Sequence, residues 1–310
     1  MAKAFPTDNP FLTGYYAPLH LEAEADNLPI SGQWPEGLNG TLYRNGPNPQ
    51  FAPRGHYHWF SGDGMLHAFR CERGRVGYRN RWVRTPKWQM EHEHGEGLSG
   101  GLASPQLTDP KLRELNSTVA NTNVVWHADR LLALEEAHLP FEVDPQTLAP
   151  RGYQTFGGKL AGPMTAHPKL DPVTGEMIFF AYNARGPFTP DLMVYAVDRE
   201  GGLRHAEHVV APYPAMVHDF VVTRGHVILP IFPLTGSMER ATSGRPAYAW
   251  EPALGTHIGI MARGGAGAAS LRWFRGDPCY VFHPVNAFDT DDGKVVCDLM
   301  KYPVAPLFPL

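Results

Sequence analysis

A chain of 310 residues with 43% hydrophobic and 19% charged side chains can bury a large core, which excludes an intrinsically disordered segment. A formal net charge of −4, with no block of like charges, excludes a surface built to hold a polyanion, so no nucleic-acid partner is expected. The three cysteines, Cys71, Cys279 and Cys297, form neither a CxxC pair nor a disulfide framework, and the first ten residues lack the apolar centre of a signal peptide. No run of ~18 apolar residues follows, so a soluble, cytoplasmic protein is expected.

Thirty-two glycines and thirty prolines are spread along the chain, which cuts it into short runs and leaves little room for long helices. Taken in order, Arg44-Asn45-Gly46-Pro47-Asn48-Pro49 and Phe60-Ser61-Gly62-Asp63-Gly64-Met65 are turn signals, and neither runs from a strand into a helix with a following Lys as a phosphate cradle would. Two HxH pairs, His56 with His58 and His92 with His94, lie beside Pro53 and Gly55 and beside Gly95-Glu96-Gly97, a setting that predicts solvated loops. Gly95 to Leu115 reads as an excursion with a short helix from Pro110. Strands are predicted over Arg130 to Leu134, Met177 to Tyr182, Val221 to Ile231 and Val295 to Lys301, all in antiparallel hairpins. Thr235 to Ala269, rich in Gly, Ala and Arg, reads as a second excursion, with a flexible loop at Gly264-Gly265-Ala266-Gly267.

His127, His167, His218 and His283 each open a unit of turn and apolar strand, at separations of 40, 51 and 65 residues. Unequal intervals of this size suit successive four-stranded blades with variable loops. The expected fold is an all-β propeller in a single domain, residues 1–310.

Matching positions of successive blades converge on a propeller axis, so His167, His218 and His283, in Ala166-His167-Pro168, Val217-His218-Asp219 and Phe282-His283-Pro284, are candidate metal ligands. Imidazole suits iron, copper, nickel or zinc, and an all-nitrogen site leaves positions open for substrate or dioxygen. The alternative is scattered histidines that hydrogen-bond near turns. Glu136, after the strand Leu131 to Leu134, is either a carboxylate that accepts the free ring N–H of a ligand or a surface acid beside Glu135. Trp59 and Phe60 are either the wall of an apolar tunnel or ordinary core.

Gly40-Thr41-Leu42-Tyr43-Arg44-Asn45-Gly46-Pro47-Asn48-Pro49 and His58-Trp59-Phe60-Ser61-Gly62-Asp63-Gly64-Met65 resemble the opening signatures of the carotenoid cleavage oxygenase family. Ala166-His167-Pro168-Lys169, Val217-His218-Asp219-Phe220 and Phe282-His283-Pro284-Val285-Asn286-Ala287 resemble its successive iron-binding segments, in order. The resemblance implies a seven-bladed β-propeller with Fe(II) held on its axis by four histidines, here His167, His218 and His283. It also implies glutamate partners of those ligands, of which Glu136 matches the first. The implied reaction joins O2 to an apolar conjugated alkene and yields two aldehydes or ketones. A substrate of that kind implies uptake through a peripheral membrane contact. No sequence feature prescribes an oligomeric state.

The family continues beyond the position of Leu310, and no histidine follows His283. The expectation is therefore a propeller that lacks its C-terminal blades, and the alternative function is a catalytically impaired fragment or a propeller that binds without catalysis. Leu132 to Phe141 looks similar to the bacterial lignostilbene dioxygenases, which read a substrate phenol with a Tyr and a Lys. Glu135 stands at that Lys position and no tyrosine occurs between Tyr78 and Tyr153, so both apocarotenoid and stilbene-like substrates stay open. A zinc or calcium hydrolase on a propeller would use carboxylate or amide ligands, against which the histidines argue.

Overall fold

The computed structural model describes residues 3–102, 104–115, 117–264 and 266–306. The chain packs as two units, Met1–Thr155 and Phe156–Pro309. Glycine and proline punctuation has the predicted consequence: the described residues form short strands, all paired antiparallel, in successive small sheets.

In the first unit β1 (Glu24–Ala25), β2 (Gly40–Pro47), β3 (Gly64–Glu72) and β4 (Arg75–Trp82) form a sheet of order β1-β4-β3-β2. The β3–β4 connection is Arg73-Gly74, with φ of 49° and 75°. Positive φ at both positions gives the turn twist that matches antiparallel strands. A second sheet holds β5 (Asn123–His127), β6 (Arg130–Leu134), β7 (Phe141–Val143) and β8 (Pro150–Tyr153) in sequential order. Leu66 and Ala68 of β3 pack on Leu131, Ala133, Phe141 and Val143, so one apolar core joins the two sheets. Gly64 permits the close approach at its edge, since a Cβ there would stand 2.2 Å from the Ala120 carbonyl oxygen.

Between these sheets in chain order come α1 (Pro86–His94) and α2 (Pro110–Arg113). The loop expected over His92 and His94 is instead the last turn of α1. Thr85 Oγ1 accepts from the Trp88 N–H, Pro86 occupies the first turn, and Gly95 ends the helix at φ 71°. The start and stop signals were present, but charge and glycine content outweighed them. His92 and His94 are solvent-exposed, whereas His58 is buried, its Nδ1 accepting from the Phe60 N–H at 3.3 Å. His58 therefore departs from the expected solvated loop because its ring packs edge-on against Phe11 and Phe60.

The Gly62-Asp63-Gly64 turn carries a buried ionic network. Lys87 Nζ donates to Asp63 Oδ1 at 2.7 Å and to Glu91 Oε2 at 2.8 Å, with all three side chains buried. The second oxygens are also satisfied: Asp63 Oδ2 accepts from the Gln50 N–H, and Glu91 Oε1 from those of Leu98 and Ser99. Burial alone would depress the Lys87 ammonium, but Asp63 and Glu91 outweigh it and hold it above its ordinary range.

In the second unit β9 (Lys169–Leu170), β10 (Met177–Tyr182), β11 (Asp191–Val197) and β12 (Leu203–Val210) form a sheet of order β12-β11-β10-β9. Next come β13 (Val221–Val222) and β14 (His226–Ile231), a small hairpin of β15 (Leu234–Gly236) and β16 (Tyr248–Trp250) flanking α3 (Met238–Thr242), then β17 (Thr256–Ala262) and β18 (Arg272–Gly276). The order β13-β14-β17-β18 makes β17 an inner strand, which corrects the expectation that Thr235 to Ala269 lies wholly outside the blades. Gly259 disguised it: a Cβ there would stand 2.7 Å from the Trp273 ring on β18, so glycine is the residue that lets this pair form. β19 (Pro284–Asp289) and β20 (Val295–Leu299) pair as a further hairpin. Ile178, Phe180, Phe220, Leu229 and Ile231 form a core shared by the β10 and β14 sheets.

Among the described residues no helix is long and apolar enough to cross a membrane. Replacing Lys87 by Met leaves two buried carboxylates without their counter-charge. A loss of about 3–5 kcal/mol is expected in urea unfolding, and a loss below ~1 kcal/mol would show that the network is not what secures this turn.

Candidate metal centre

His167, His218 and His283 all belong to the second unit, and each precedes a hairpin: β9–β10, β13–β14 and β19–β20. Pro168 and Pro284 bar the helical region to the residue before them, so two of the three histidines are held extended by their own sequence. The His167 N–H donates to Thr165 Oγ1 at 3.1 Å, and the Thr165 N–H to the Phe180 carbonyl at 2.8 Å. Around His218, burial alternates in an extended segment: Ala215 and Val217 face the core and His218 turns away from it. The Ala215–Thr235 bridge and the Met216 N–H bond to Leu234 tie this segment to β15, so the excursion after Thr235 helps to place a site residue.

These anchors bring the three rings together. His167 Nε2 stands 3.0 Å from His218 Nε2, which stands 3.1 Å from His283 Nε2, and one nitrogen from each ring falls within 4.8 Å of the others. The rings are steeply inclined, with interplanar angles of 68°, 81° and 71°, so the nitrogens converge from different directions. His167 and His218 are half-buried, His283 is exposed, and the Phe282 ring meets His218 edge-on with centroids 5.5 Å apart.

Burial, then the neighbouring His218 and His283, then Lys169 push the His167 imidazolium down to about 3. Its ring is therefore neutral across the ordinary pH range and offers a lone pair. A neutral Nε2 is either a donor or an acceptor, so His218 can serve one of its two close neighbours well and not both. A cation that takes one lone pair from each ring satisfies all three. With metal–nitrogen bonds of ~2.1 Å, ligands at ~90° stand ~3.0 Å apart and tetrahedral ones ~3.4 Å. The observed spacings lie in the range that imidazole nitrogens would adopt on one shared ion, so His167, His218 and His283 could hold it together.

The other candidates lie elsewhere in the chain. His127 is followed by the expected turn and apolar strand, but it closes β5, and Ala128 and Asp129, at φ 49° and 57°, make the β5–β6 turn directly after it. It is thus not equivalent to the other three. Glu136 belongs to the first unit, on the turn after β6, where neighbouring Glu135 pairs with His138. Trp59 and Phe60, also in the first unit, stack on one another with centroids 5.9 Å apart at 10°. Thr165 and Phe282 carry no signal of their own in the sequence beyond their proximity to His167 and His283.

A family model described as "Retinal pigment epithelial membrane protein" (RPE65) matches residues 16–310. The chain belongs to this family, that of the carotenoid oxygenases. An isoeugenol monooxygenase of Pseudomonas nitroreducens is 40% identical over 300 residues, which cover 96% of this chain and 62% of that protein. The crystal structure of Pseudomonas brassicacearum lignostilbene dioxygenase matches with a TM-score of 0.88 at 38% identity, covering 96% of this chain and 62% of that one. A cobalt-substituted Synechocystis apocarotenoid oxygenase matches with a TM-score of 0.79 at 28% identity, over 94% of this chain and 63% of that one. The chain thus spans 62% of the length of the isoeugenol monooxygenase. Its antiparallel sheets are those of the carotenoid oxygenase fold, so the all-β architecture and the family resemblance both hold.

His218 supplies the nitrogen common to both short contacts. Replacing it by Ala is expected to lower retained Co(II) from about one equivalent to a tenth or less, measured by metal analysis after gel filtration. The exposed His205 of β12 serves as the control, and equal retention by both variants would remove His218 from the centre.

Proposed function

We propose that this carotenoid oxygenase chain carries the centre of an Fe(II)-dependent dioxygenase that cleaves a conjugated carbon–carbon double bond. The observation that carries this reading is the convergence of three imidazole nitrogens at 3.0 and 3.1 Å in a chain of this family. Relatives named for isoeugenol, lignostilbene and apocarotenoids support an aryl-alkene, stilbene-like or apocarotenoid substrate. The same reading extends the four-stranded sheets to a seven-bladed propeller and places the protein in the cytoplasm.

His167, His218 and His283 would hold the ion, and the bound ion supplies the redox chemistry that lets dioxygen react with a closed-shell alkene. Overall one C=C bond breaks, two C=O bonds form and both oxygen atoms are consumed. No proton is gained or lost and no external reductant is needed. The side chains therefore have little acid or base work, and their task is to present neutral nitrogen and hold an apolar substrate in place. Phe282, edge-on to His218, gives such a substrate an aromatic neighbour beside the centre.

The test is to load the 310-residue chain with Fe(II) without oxygen, then add oxygen with isoeugenol or a hydroxylated stilbene. One O2 consumed for each pair of carbonyl products is expected. A stoichiometrically loaded chain that forms no carbonyl product from any aryl-alkene or apocarotenoid would sink the proposal.

A further inference from the structure

His167 and His218 come from different sheets, and each is carried beside the shortest strand of its sheet. β9 and β13 have two residues each, against six or more in β10 and β14. Two-residue edge strands are where a sheet opens first, yet the nitrogens they carry stand 3.0 Å apart. Something must hold these two edges in mutual register.

Lys169, on β9 two residues after His167, reaches Asp219, the residue after His218, with Nζ 2.7 Å from Oδ1. The Asp219 carboxylate is only 5% exposed, and the same Oδ1 accepts from the Phe220 N–H at 2.7 Å, so the acceptor is fixed by its own backbone. The ammonium also lies 5.5 Å from the centroid of the Phe220 ring. In extended chain, residues two apart project to the same side, so Lys169 at the start of β9 and His167 just before it are set to face the same way.

We propose that the Lys169–Asp219 ion pair is a positioning device for the metal centre, clamping the β9 and β13 edges so that His167 and His218 are spaced before the ion arrives. It rests on the metal reading above. The clamp touches neither substrate nor ion; it acts by reducing the ordering that binding would otherwise have to impose on two short edges. Removing the ammonium also leaves Asp219 as a buried, uncompensated carboxylate, which favours a local shift that takes His218 with it.

The experiment titrates Co(II) into the whole chain against a competing chelator, and records the visible absorption of the bound cobalt, for wild type, Lys169→Met, Lys169→Gln and Lys169→Arg. Lys169→Met and Lys169→Gln are expected to raise the Kd for Co(II) about 10- to 100-fold and to alter the spectrum. Lys169→Arg keeps a charged donor to the carboxylate and is expected to stay within about threefold of wild type. Should Lys169→Met fail to fold, Lys169→Gln decides, because its amide can still donate to Asp219. A lower melting temperature with unchanged affinity and spectrum is the behaviour of a merely structural pair and overturns the proposal. If wild type itself takes up no cobalt, the metal reading fails and the clamp with it, whereas normal uptake by wild type and both neutral variants removes the clamp alone.

Discussion

Imidazole nitrogens do not gather at 3.0 and 3.1 Å of their own accord, because each brings a lone pair or a proton and at most one of the contacts can be a good hydrogen bond. The arrangement has to be imposed by the backbone, and much of the second unit can be understood as the means of imposing it. Prolines after His167 and His283 hold two of the chain segments extended, Thr165 fixes the approach to the first, and the Ala215–Thr235 bridge fixes the approach to the second. Apolar residues of β10 and β14 pack into a shared core beneath, so the ligand-bearing edges rest on a rigid base.

Placing ligands beside two-residue strands has a physical logic. Long inner strands such as β10 are buried along their whole length and have no free direction in which to present a polar ring. Short edges leave side chains half-exposed, as His167 and His218 are, and so able to meet a ligand from solvent. The cost is looseness, which the Lys169–Asp219 contact counters.

In the first unit a different interaction has the organising part. Lys87 lies between Asp63 and Glu91, both oxygens of each carboxylate accept a hydrogen bond, and the network joins the Gly62-Asp63-Gly64 turn to helix α1. Such a network does little for stability compared with apolar packing of equal volume, but it is intolerant of losing one member, which makes the geometry of this turn specific. An aromatic cluster of Phe11, His58, Trp59 and Phe60 immediately precedes this turn through residues 58–60.

Amino-acid order alone determined the class of fold, several of the strands, among them β6, β10, β14 and β20, and the identity of the three converging histidines, since turn residues, apolar runs and the His-Pro pairs act over a few neighbouring positions. The same local signals misjudged α1, where Thr85 and Gly95 cap a helix of unremarkable composition, and β17, where Gly259 marks a tight strand pairing and not a loop. His127 does precede a turn and an apolar strand, as those signals indicate, but the Ala128-Asp129 turn follows it within a hairpin, at the end of β5. Only the tertiary structure decided which nitrogens meet, at what distance, and that Lys169 and Asp219 face one another across two sheets. Those facts depend on contacts between residues about fifty positions apart, and a contact of that kind is set by the packing of whole sheets rather than by the preference of any single residue.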